Sequence, residues 1–133
     1  MLEPTFRPLI TIIRLTPDRS FVEVSLDMDG RLATGFGDIV EDDSMAAACR
    51  GTIDAVQRLL PPALKLELDW CHRVALGHQD DVINSAVTLT TNADRSHQEH
   101  LIGAAYVRHD PDIAAVRATL DGLTRRLAIY LFP

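Results

Sequence analysis

The sequence predicts an α+β domain built as an internal duplication, βββα followed by βββα, with mostly antiparallel sheet packed against two helices about a pseudo-twofold axis. Three observations carry this expectation. Ala47 to Leu60, AACRGTIDAVQRLL, aligns without gaps on Ala114 to Leu127, AAVRATLDGLTRRL, carrying Thr52 onto Thr119 and Asp54 onto Asp121. Three strand-like runs precede each segment. The chain has 133 residues, which suits one domain with a first repeat over 9–62 and a second over 63–131, each too small to bury a core alone.

Taken in order, Leu9 to Leu15 is rich in isoleucine and reads as a strand. Val22, Val24, Leu26 and Met28 alternate with Glu23, Ser25 and Asp27, the pattern of a strand with one wet face, and Asp29-Gly30 signals a hairpin into Arg31 to Phe36. Cys49, Ile53, Val56 and Leu60 then recur on one helical stripe, with Ser44 as N-cap and Pro61-Pro62 as the stop. Leu64, Leu66, Leu68 and Trp70 alternate with Lys65, Glu67 and Asp69 in a second half-buried strand. Val82 to Thr90 and Leu101 to Val107 follow, joined by a polar loop from Asn92 to Glu99. Asp110 caps the last helix, Pro111 sits in its first turn, and Val116, Leu120, Leu123 and Leu127 repeat the earlier stripe. The apolar tail through Phe132 is expected to be tied down, most simply in a homodimer or over the domain's own sheet, or else to finish this helix.

With 13 Lys and Arg against 19 Asp and Glu, the net charge of -6 argues against nucleic-acid and anionic-membrane partners, which are held by clustered cations. No run is long and apolar enough for a membrane span or a signal peptide, so a cytoplasmic location is the expectation. Cys49 and Cys71 have neither metal nor redox spacing and read as reduced, partly buried thiols. The SHQEH stretch places His97 and His100 near Glu99, but not at the helical spacing of a zinc motif, and no metal or cofactor is expected. His78, Gln79, Asp80 and Asp81 read as an ordinary polar turn.

The duplicated unit resembles the carboxyl-terminal regulatory domain of 2-isopropylmalate synthase and related α-acyl synthases. Gly35, Gly37 and the Asp42 to Ala48 helix entry carry the likeness in the first half; Gly103, Asp112 and RATLDGLTRR, Arg117 to Arg126, carry it in the second. Asp38, Ile39 and Val40 depart from that family, which has a proline before the helix, and nothing here corresponds to the synthase's catalytic barrel. The resemblance implies a stand-alone regulatory or small-metabolite-binding module, homodimeric, taking a ligand such as an amino acid at the strand-to-helix turns. Gly35, Gly37, Asp38, Ser44, Gly103 and Asp112 are the ligand-binding residues it implies. Glycines there admit backbone amides to a ligand, and helix starts carry partial positive charge. The acidic residues around the first turn favour a ligand bearing an ammonium group over a simple dianion.

A second class of function is a small cofactor-free enzyme, a cyclase or isomerase, using a pocket between sheet and helices. His72, in phase with Leu68 and Trp70 and so expected to point inward, and Tyr106 are its acid-base candidates. The repeated sets Arg50, Asp54, Arg58 and Arg117, Asp121, Arg125 read as helix-surface ladders at i,i+4 spacing.

Overall fold

A computed structural model describes residues 20–91 and 97–132, and residues 9–14 by their backbone alone. Two antiparallel sheets and two helices follow in the order β1 (Leu9–Arg14), β2 (Phe21–Met28), β3 (Arg31–Asp38), α1 (Ser44–Gln57), β4 (Leu64–Val74), β5 (Val82–Thr91), β6 (Gln98–Tyr106) and α2 (Pro111–Leu131). The sheets have strand orders β1-β2-β3 and β4-β5-β6, so every sheet contact is a sequential antiparallel pairing. Leu15 and the loop residues 92–96 of the sequence reading lie outside the described residues, and Gln98 and Glu99, expected in the loop, already belong to β6.

The alternation in β2 buries Val22, Val24, Leu26 and Met28. Its hairpin turns on Asp29 at φ 56° and Gly30 at φ 89°, two left-handed residues whose twist matches that of the flanking strands. The Gly30 N–H donates to Asp27 Oδ1 at 2.7 Å.

Both predicted helical stripes are buried: Cys49, Ile53 and Val56 from α1 with Leu60 just past its end, and Val116, Leu120, Leu123 and Leu127 from α2. The helices run side by side in the same direction. Ser44 Oγ donates to Asp112 Oδ1 at 2.9 Å where both begin, and the Arg31 guanidinium donates to the carbonyls of Leu59 and Tyr130 where both end. A cation placed there satisfies orphan carbonyls and complements two helix dipoles together. Thr52 and Thr119 donate to the carbonyls of Ala48 and Ala115 in their own helices, and the Thr119 hydroxyl also lies 2.9 Å from that of Ser85 on β5.

Two details correct the sequence reading. The N-cap of α1 is Asp43, whose side chain accepts from the Ala46 N–H; Ser44 is the first helical residue, and its hydroxyl is used between the helices. The tail through Leu131 is the end of α2: Leu127 and Leu131 are fully buried in this chain's own core, while Ile129 is 73% exposed.

The third correction comes from β4. Its pairing with β5 shifts between Leu68 and Trp70, leaving Asp69 as an extra residue in a β-bulge. Beyond the bulge the faces exchange: Cys71 pairs with buried Ser85 and Trp70 with Ala86. Trp70 and His72 therefore lie on the outer face, stacked with ring centroids 5.0 Å apart, and His72 is exposed rather than inward.

Candidate functional site

The glycines implied as ligand contacts are filled from another direction. A β-carbon on Gly35 would lie 2.2 Å from the Gly51 carbonyl oxygen, and one on Gly37 would lie 1.9 Å from that of Ala47. Gly103 meets α2 in the same way, 2.0 Å from the Ala118 carbonyl oxygen. The absent side chains let each helix backbone settle onto a strand, an approach only glycine permits. None of the three opens onto a hollow.

Ser44 and Asp112 are paired to one another between the helix starts, Asp112 only 3% exposed. The Asp38 side chain is exposed, but its carbonyl accepts from Arg50 Nη2 at 2.6 Å. That bond holds the guanidinium at the mouth of a groove of about 610 Å³ between α1 and β4. One wall is α1, contributing Asp43, Ala46, Arg50, Ile53, Asp54 and Gln57; the other is β4 from Leu66 to Cys71. Its size falls within the range of small-molecule sites.

The groove has a sequence logic. Residues 46, 50, 53, 54 and 57 recur at helical spacing, so one face of α1 presents them together. Gln57 binds the chain as it turns back: its amide donates to the Leu64 carbonyl at 2.6 Å and accepts the Leu66 N–H at 2.9 Å, setting where β4 starts beside the helix. The bulge then brings Asp69, Trp70 and Cys71 onto the wall. Asp69 is braced by the Thr88 hydroxyl at 2.6 Å, with His100 Nδ1 3.1 Å from the same hydroxyl.

Chemically the groove is mixed. Arg50 supplies a cation, Asp43, Asp54, Glu67 and Asp69 supply carboxylates, and Ile53, Leu66, Leu68 and Trp70 supply apolar surface. Asp54 is partly engaged, accepting the Phe36 N–H at 3.0 Å and pairing with Arg58 at 3.3 Å. Of this set, the sequence reading named Arg50 and Asp54 only as a helix ladder and Leu66 and Leu68 only as core. The groove arises where β4 crosses α1, which spacing along the chain does not reveal.

Of the two cysteines, Cys71 is half-buried on the groove wall, while Cys49 is buried. The neighbouring Cys49 side chain and burial push the Cys71 thiol up, and the Cys71 side chain lowers that of Cys49. Cys49 Sγ also reaches the Ala115 carbonyl at 3.6 Å.

The acid-base candidates of the enzyme reading are not brought together. Tyr106 is 47% exposed on the outer face of the second sheet, beneath the Arg108 guanidinium at 5.4 Å. It borders an open hollow of about 170 Å³ with His109 and Arg117, of which His72 is no part. Neither residue has the enclosed surroundings in which acid-base chemistry is tuned. The turn carboxylates Asp80 and Asp81 are bound by Arg108 and Arg73 at 3.0 and 2.7 Å. His97 lies just before β6 and His100 within it, where its Nδ1 is 3.1 Å from the Thr88 hydroxyl, while Glu99 is bound by Arg126 at 2.6 Å. Among the described residues no His, Cys, Asp and Glu side chains form a cluster of three suited to a metal ion, and no helix is long and apolar enough to cross a membrane.

Comparison with protein-family models, with curated proteins and with solved structures returns no match to this chain.

Proposed function

We propose that this chain is a regulatory module that binds a small metabolite, an amino acid by class, in the groove between α1 and β4. The observation that carries the reading is the juxtaposition of Arg50 with four carboxylates above an apolar floor of Ile53, Leu66 and Leu68. A guanidinium pairs with a carboxylate, acidic groups with an ammonium, and the apolar floor with a side chain; a zwitterion uses all three. In this reading the site sits one helical turn inside the helix entry that the resemblance implied, and Asp38 acts through its carbonyl by fixing Arg50.

The duplication belongs to the same proposal. Its support is that equivalent contacts recur: Gly35 under α1 and Gly103 under α2, Asp54 on the Phe36 amide and Asp121 on the Ala104 amide, Thr52 and Thr119 each within its helix. A homodimer is also part of it, through the outer face of the second sheet, where Trp70, Val74, Ile102 and Tyr106 are exposed together. Light scattering of Ile102→Asp against the unaltered chain checks this, a dimer in both ruling that face out.

The ligand test is a thermal-stability screen with L-amino acids and the matching 2-oxo acids at millimolar concentration. Ligand bound only by the native state raises the midpoint by mass action. The expected result is a rise with one or a few amino acids, none with their 2-oxo acids, which lack the ammonium, and loss of the rise in Arg50→Ala. No rise with any amino acid removes the proposal.

A further inference from the structure

The two helix entries are built alike and charged oppositely. Asp43 and Asp110 are the N-caps of α1 and α2, and an arginine follows seven residues later in each, Arg50 and Arg117. The two residues ahead of the cap are Glu41 and Asp42 in the first entry but Arg108 and His109 in the second. The acidic surroundings that favour an ammonium group at α1 are replaced by basic ones at α2.

Those basic side chains share a hollow of about 170 Å³, lined by Tyr106, Arg108, His109, Asp110, Ile113 and Arg117. Arg108 is held in place on its rim: the guanidinium lies 5.4 Å over the Tyr106 ring and meets Asp80 at 3.0 Å, while the Val107 N–H ties the segment to the Asp81 carbonyl at 2.8 Å. Asp110 is turned to the helix, where it accepts the Asp112 N–H at 2.9 Å. The helix start is thus already capped, and what the hollow offers a ligand is side-chain charge.

Arg117 differs from its counterpart. Arg50 is bound to the Asp38 carbonyl, but among the described residues no carboxylate or carbonyl holds Arg117. Arg58, Arg73, Arg108, Arg125 and Arg126 each face a carboxylate of this acidic chain. An arginine left without one, in a hollow with a second guanidinium and an imidazole, is charge without its counter-charge.

We propose that the hollow at the entry to α2 is an anion site that takes a phosphate group, inorganic or the head of a small phosphate monoester, with Arg117, Arg108 and His109 as its ligating side chains. Guanidinium forks match the oxygens of a phosphate, and a dianion gains more from several cations than a monocarboxylate does. Arg108 has five N–H donors and so engages a phosphate while keeping Asp80. The hollow is smaller than the about 300 Å³ at which sites for whole drug-sized ligands begin, so it suits a headgroup. The site does not depend on the amino-acid groove and stands if that groove binds nothing.

The test is a titration of the ¹⁵N-labelled full chain with inorganic phosphate, at an ionic strength held constant with chloride so that general screening is fixed, following the backbone amides by NMR. Saturable shifts are expected, centred on Tyr106 to Arg117. They should be weakened at least tenfold in Arg117→Gln and unchanged in Lys65→Gln, which removes an exposed cation elsewhere. A parallel titration with glycerol 3-phosphate separates the two sources: tighter binding than inorganic phosphate assigns the site to a monoester, and equal or weaker binding assigns it to free phosphate. Shifts that fail to saturate, that centre elsewhere on the chain, that persist undiminished in Arg117→Gln, or that weaken equally in Lys65→Gln overturn the proposal. The wild-type map alone is decisive if a variant does not fold.

Discussion

The carboxylate of Asp54 on α1 accepts the N–H of Phe36 on the edge strand β3 at 3.0 Å, closing with a helix side chain a donor that its sheet leaves unpaired. Asp121 does the same for Ala104 on β6, at 3.1 Å. Such bonds blunt edges that would otherwise invite another strand. Asp54→Ala should therefore cost about 1 kcal/mol in urea unfolding, the net worth of one hydrogen bond to a charged acceptor, and Arg58→Ala clearly less. Equal losses would mean that the ladder, not the edge contact, is what matters.

Gly35 and Gly103 should tolerate no side chain. Their β-carbons would lie 2.2 and 2.0 Å from helix carbonyl oxygens, so Gly35→Ala and Gly103→Ala require helix and sheet to part, at about 3 kcal/mol or more. Gly77, at φ 72° with nothing within 4 Å, should cost only about 1 kcal/mol as alanine, through backbone strain alone. Denaturation midpoints of the three variants check the order.

Asp69 is the extra residue of the bulge, so deleting it restores one-to-one pairing and leaves Trp70 outside and Cys71 inside. The loss is the bond from Thr88 Oγ1, at about 1 kcal/mol. Trp70 is the single tryptophan, and its emission maximum should stay that of a partly exposed ring. A marked blue shift would show that the strand had inverted.

Arg126 beside Glu99 holds that carboxyl below the usual carboxylate range. A pKa depressed in the folded state gives stability that is present above the unfolded value and is lost as pH falls through the folded value. Wild type should exceed Glu99→Gln at neutral pH by a small margin that closes on acidification through the carboxylate range, and that shrinks in high salt because both side chains are half exposed. A gap that persists in acid would assign the difference to something other than this ion pair.

The element order was legible because it rests on local periodicity: the stripes through Ile53 and Leu120 are buried as their spacing requires. Asp110 and Pro111 likewise mark the start of α2 through chemistry within one turn. What failed depends on distant partners. Leu64 to Trp70 alternates without interruption in sequence, and nothing in those residues announces that Asp69 will be set aside, so Trp70, and His72 in phase with it, read as inward. A glycine that admits a ligand and one that admits a helix are the same residue in sequence; Gly51 and Gly122 opposite them were the only hint of the second use. The groove was illegible because it depends on the crossing of β4 over α1, fixed by Gln57 gripping the strand at Leu64 and Leu66.

Because Trp70 stands on the groove wall and is the chain's single tryptophan, its fluorescence reports directly on occupancy. The most direct test is a titration of Trp70 emission with each L-amino acid in wild type and Arg50→Ala. The account predicts a saturable change with one or a few amino acids in wild type, weakened at least tenfold without Arg50, as expected for loss of a charge-assisted pair of about 1.4 kcal/mol or more. A flat response to every amino acid, or a response unchanged in Arg50→Ala, would contradict it.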